Sequence, residues 1–189
     1  AASGAVTISA SDSSTIDALA FGVAGSGGAA LGAALSANVV CNTIQTFVSG
    51  STLDSTGSSI ALAATSSSVI RTVTIGVSGS GGFALQVTAV GNVIDNEISS
   101  LISGGSTVNA KNDITLLATD AKPGSYGALA TPADQQAKID EAMADSPVTL
   151  ANTNILSIVV GVAGSGLGAV NVTLVGNDIS NTVTADIIG

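Results

Sequence analysis

GVAGSGG at residues 22–28, GVSGSGG at 76–82 and GVAGSGL at 161–167 are three versions of one heptad. A single glycine-rich turn is compatible with a phosphate cradle, so the copies and their flanks must decide between chemistry and architecture. Placing Gly22 on Gly76 is a shift of 54 residues (76 − 22), and the same shift superposes Asn38 on Asn92, Asn42 on Asn96, Ile44 on Ile98 and Ile60 on Ile114. From Gly76 to Gly161 the shift is 85, which again superposes Asn92 on Asn177, Asn96 on Asn181 and Ile98 on Val183. The difference, about 31 residues, is an insertion within 119–152.

Around each heptad the period is two. Leu19, Phe21 and Val23 alternate with Ala18, Ala20 and Gly22, and after the glycines Leu31, Ala33 and Leu35 alternate with small or polar residues. This predicts strands with a bulky and a small face, the bulky face forming the core. The turn residues Gly25, Ser26 and Gly27, with Gly79, Ser80, Gly81 and Gly164, Ser165, Gly166, are expected to close a hairpin in which Gly supplies positive φ. A phosphate loop needs a following helix and usually a Lys, whereas strand pattern follows all three copies. Two shorter strands complete each unit, as in NTIQTFVSG and SSIALAATS.

The expected fold is all-β, a repetitive β-solenoid or β-helix-like stack of 54-residue, four-strand units with one helical insertion. Its divisions are a terminal strand at 1–12, units at 13–66 and 67–120, a Pro- and charge-rich insertion at 121–152, and an incomplete unit at 153–189. In the insertion Thr131 as N-cap, Pro132 at the first helical position and Asp134 in the first turn predict a helix to about Ala144.

Asn38/Asn42, Asn92/Asn96 and Asn177/Asn181 are the most faithfully repeated polar feature. They read as ligands for a cation or sugar, or, with more weight, as amide ladders between stacked coils. Asp95 and Glu97 have no acidic counterpart in the other units, so a repeated calcium site is not encoded.

Composition narrows the function. Thirteen acidic and four basic residues give a net charge of −9, too few cations for a nucleic-acid backbone. No long apolar run predicts a membrane span, and no signal peptide is visible. The chain starts without Met and within a strand pattern, as expected of a mature product or a window of a longer sequence. Cys41, the single cysteine, is expected to be buried as a small hydrophobe. With no His, His-based triads are impossible, and Asp95/Glu97 or Asp140, Glu141 and Asp145 read as solvated charge, so no catalytic, cofactor or metal residues are assigned. Glycan-binding β-proteins usually offer aromatic platforms, whereas this chain has three Phe, one Tyr and no Trp, with Phe21 and Phe83 placed on or beside the core face. Asn171-Val172-Thr173 fits a glycosylation pattern inside a strand.

The unit STIDALAFGVAGSGGAALGAALSANVVCNTIQTFVSGSTL with SSIALAATSSS, and GGSTVNAKNDITLLATD, resemble repeats of large secreted bacterial exoproteins, the leukotoxin-like and filamentous-haemagglutinin-like adhesins. The resemblance implies an extended solenoid at the cell surface, acting in adhesion or as a scaffold, with no catalytic residues. In the 54-residue register the chain opens on the fourth strand of one unit and closes on the third strand of another. Head-to-tail strand complementation between copies is therefore expected, with Ala5, Val6, Thr7 and Ile8 of one copy meeting the end marked by Ile187 and Ile188 of the next. The alternative is a monomeric adhesin or glycan-binding module contacting a host or cell-surface glycan or protein. Ice binding is disfavoured, because Thr72 and Thr74 correspond to Ala18 and Ala20.

Overall fold

The computed structural model describes residues 1–122 and 153–189, which form three stacked coils. The first coil contains β1 (Val6–Asp12), β2 (Thr15–Ser26), β3 (Ala29–Val40), β4 (Thr43–Ser49) and β5 (Thr52–Ser55). The second repeats them as β6 (Ile60–Ser66), β7 (Val69–Ser80), β8 (Phe83–Ile94), β9 (Glu97–Ser103) and β10 (Thr107–Ala110). The third has β11 (Ile114–Asp120), β12 (Ile155–Ser165), β13 (Gly168–Ile179) and β14 (Thr182–Ile187). All pairing is parallel, in sheets ordered β1-β6-β11, β2-β7-β12, β3-β8-β13, β4-β9-β14 and β5-β10. Val6 lies opposite Ile60 and Ile60 opposite Ile114, the 54-residue shift, while Ile70 lies opposite Ile155, the 85-residue shift. The described residues are thus all-β and solenoid-like. The expected helix from Pro132 to about Ala144 falls outside the described residues.

The glycine turn is not a hairpin. β2 and β3 belong to different sheets, and each hydrogen-bonds to its counterpart one coil away. Gly25, Gly27, Gly79, Gly81, Gly164 and Gly166 do not adopt positive φ either; among the described residues only Gly50, Gly104 and Gly105 do. Two of these mark a fifth, short strand that the four-strand reading lacks. Thr107 pairs with Thr52, a shift of 55 rather than 54, and the extra residue is absorbed where Gly104 (φ 64°) and Gly105 (φ 66°) replace the single Gly50 (φ 57°).

Each coil is flattened into two walls. β1 and β2 run outward along one, the glycine corner turns, and β3 and β4 return along the other, so β2 packs on β3 and β1 on β4. Between the β1/β6/β11 and β4/β9/β14 sheets lies an aliphatic core, in which Ile60, Leu62, Val48 and Ile102 form one buried cluster and Ile44, Ala64 and Ile98 another. Each such Ile or Leu contributes roughly 2 kcal/mol of transfer free energy.

Toward the glycine corner the alternation has the opposite sense from the one expected. The small and polar face points inward: Ala30, Ala34, Thr72, Thr74, Ala84, Gln86 and Thr88 are buried. The bulky face points out, leaving Val23 at 82%, Leu31 at 71% and Leu35 at 65% exposure, with Phe21 and Phe83 also exposed. Wall spacing is the physical reason. A Cβ on Gly22 would collide with the Ala33 carbonyl of the opposite wall, and one on Gly76 with the Gln86 amide. Leu or Phe cannot enter so narrow a gap, whereas backbone, Ala and flat amides can.

Candidate functional site

The recurring asparagines form two columns inside the coils. In the first, Asn38 Nδ2 donates to Asn92 Oδ1 (2.7 Å), and Asn92 Nδ2 donates to Asn177 Oδ1 (3.1 Å). The facing wall braces it, since Thr72 Oγ1 accepts from Asn38 (3.0 Å) and donates to Asn92 (3.0 Å), while Ser157 Oγ accepts from Asn92 (2.8 Å) and donates to Asn177 (2.7 Å).

The second column sits at the bend between β3 and β4 and its repeats. The Asn42 backbone N–H donates to Asn96 Oδ1 (2.9 Å), and that of Asn96 to Asn181 Oδ1 (2.8 Å). Each side-chain amide then reaches the opposite bend: Asn42 to Asp12 (3.1 Å) and Ser14 (3.1 Å), Asn96 to Ser66 (3.2 Å) and Ser68 (3.1 Å), Asn181 to Asp120 (2.7 Å). Sequence reasoning misses these partners, although Asp12, Ser66 and Asp120 are themselves one column of the 54-residue register.

Both columns have a direction. At the first coil the Asn38 and Asn42 Oδ1 atoms lack a donor among the described residues, and at the third the Asn177 Nδ2 and the Asn181 backbone N–H lack an acceptor among them. What one end of the stack lacks, the other end offers. The end of the first coil is open between the walls, as a cavity of about 570 Å³ lined by residues 14–16 and 39–42. At the third coil Val183 and Ile187 continue the core columns of Ile98 and Ile102; among the described residues nothing stacks on them, and they are exposed whereas Ile98 and Ile102 are buried.

Asp12 is one of the two carboxylates in the second network, with Asp120. Burial pushes its carboxyl up, but hydrogen bonds from the Ser14 hydroxyl and backbone, from Ser68 and from Asn42 together outweigh it and hold the group below its ordinary 3.8. A depressed carboxylate contributes stability that is complete above the ordinary value and lost as the pH falls through the lowered one. Urea midpoints measured from pH 6 to pH 2 should therefore fall below about pH 4, and less steeply in Asp12→Asn; an identical slope in the two proteins would show that Asp12 is not responsible.

The remaining candidates do not converge. β1, carrying Val6, Thr7 and Ile8, pairs with Ile60, Ala61 and Leu62 of its own chain, and Ala5 precedes it. Ile187 and Ile188 belong to the β14 column, in another sheet. Cys41 is exposed rather than buried, because it follows inward-facing Val40 at the bend. Phe21, Phe47 and Phe83 lie in three different sheets and make no common platform. No cluster of metal-ligating side chains occurs among the described residues, and no helix among them is long and apolar enough to cross a membrane. No family model, curated protein or solved structure matches the chain.

Proposed function

We propose that the chain is a structural segment of an extracellular fibre, in which copies stack coil on coil and head to tail. The observation that carries this reading is a glycine column. A Cβ on Gly166 would sit 2.6 Å from the Gly81 carbonyl oxygen and one on Gly81 would sit 2.5 Å from that of Gly27, so both must be glycine for the coils to stack. Gly27 belongs to the same column but has nothing within 4 Å. It is a stacking glycine with no coil against it among the described residues, and the same column of a neighbouring copy would fit there. The Asn columns support the same geometry, since Asn177 and Asn181 of one copy would supply the donors that Asn38 and Asn42 of the next lack.

In this arrangement β1 adds its free edge to β11 of the neighbouring copy, and β2, β3 and β4 add to β12, β13 and β14. Strand complementation is then edge addition by four strands of a coil at once, and residues 1–12 stay in their own sheet instead of leaving as a detached arm. The extracellular setting rests on the exoprotein resemblance and on a composition poor in charge.

The test is Gly27→Val beside Gly81→Val. The first should leave the urea midpoint of the isolated chain unchanged but abolish fibres in electron micrographs. The second should destabilise the chain itself, by about 2 kcal/mol from overpacking. Fibres that persist in Gly27→Val, or a wild-type chain that forms only discrete particles, would overturn the reading.

A further inference from the structure

The outward face of the β3-β8-β13 wall has no role in axial stacking. It carries Leu31, Leu35, Leu85, Val87, Val170 and Leu174, and no charged residue occurs in 18–53, 72–94 or 155–177. The described charges lie elsewhere: on β1, β5, β11 and β14, at the start of β2, β7 and β9, at the bends, and at Asp178 on the margin of this wall. In cross-section the coil is therefore apolar toward the glycine corner and charged toward the other edge.

We infer that this wall is a lateral interface taken by the same wall of a second copy, sheet face on sheet face, so that fibres pair through it; the inference rests on the axial stacking proposed above. Size argues for this occupant and for that order of events. Three strands spaced about 4.8 Å apart, with some 30 Å of apolar strand, present roughly 400 Å² per copy. A stable interface needs about 800 Å² per partner, so one copy falls short and isolated chains should not dimerise through the wall. Axial stacking places the Leu31 and Leu35 columns in line with Val170 and Leu174 of the adjoining copy, and two stacked copies reach the required area. The in-register columns of this wall also suit face-to-face packing of two sheets, whose inner side chains interdigitate at about 10 Å. Pairing is thus switched on by fibre length.

The experiment is mass per length by scanning electron microscopy of wild type and of Leu31→Lys/Leu174→Lys, with Leu31→Thr/Leu174→Thr as a variant that keeps strand propensity. A single fibre has 18.0 kDa per three coils, about 12 kDa per nanometre at 4.8 Å per coil. Wild-type fibres are expected at twice that value or a higher multiple, and both variants at the single value with their fibres intact. Wild-type fibres already at the single value would overturn lateral pairing while leaving axial stacking in place. Single-value fibres that float with neutral phosphatidylcholine vesicles through Leu31 and Leu174 would identify the wall as a lipid-facing surface and likewise overturn it. Absence of fibres from every sample would remove the axial reading, and this inference with it.

Discussion

Gly22→Val should unfold the chain or bring its urea midpoint close to zero, a loss of about 4 kcal/mol or more. The new Cβ would overlap the Ala33 carbonyl, a backbone atom held in the β3-β8 ladder that cannot rotate away. Relief requires the walls to separate, which would also stretch the bridges from Asn38 and Asn92 to Thr72. Gly25→Val is the control, because a Cβ there meets nothing within 4 Å and the stability should change by less than about 0.5 kcal/mol. Equal midpoints in the two variants would show that the walls are not held at this spacing.

Asn92→Ala should cost about 3 kcal/mol in the same assay. Asn92 is 1% exposed and sits at the centre of its column, accepting from Asn38 and Thr72 and donating to Ser157 and Asn177. Each net hydrogen bond contributes about 1 kcal/mol, and Thr72, itself fully buried, would be left with an unmet polar group. Asn38→Ala, at the open end of the column, loses fewer partners and should cost about 1 kcal/mol. A smaller loss at Asn92 than at Asn38 would contradict a ladder whose middle rung is the most fully bonded.

The repeat register is legible in the amino-acid sequence, because three heptads and three Asn pairs fix two shifts that the strand pairing follows residue by residue in every sheet except β5-β10. The direction of the side chains is not. Alternation identifies two faces without saying which is inside, and burying the bulkier one is correct only where the walls stand far enough apart. The information lies in the small face itself. Gly22, Gly76 and Gly161 share that face in all three coils, and Asn38, Asn92 and Asn177 share it across the gap; an amide ladder gains little where water competes for its hydrogen bonds. The hairpin reading fails for a related reason. Two strands joined by two residues resemble a hairpin in sequence, and only the partners one coil away show that the backbone bonds run along the stack. Short β5 and β10 escape notice because four residues carry too little alternation to register.

Strand pairing at a near-uniform distance of 54 or 85 residues also governs how such a chain reaches its native state. No described strand has a local partner, so a single coil closes a long loop without gaining one ladder bond, and the first two coils must be ordered together. Spontaneous folding should be slow. A coil that meets an existing edge finds the partners of four strands already arranged, so in the proposed fibre the growing end would be the template on which the next copy folds, and assembly would begin with a lag that added fibre fragments abolish.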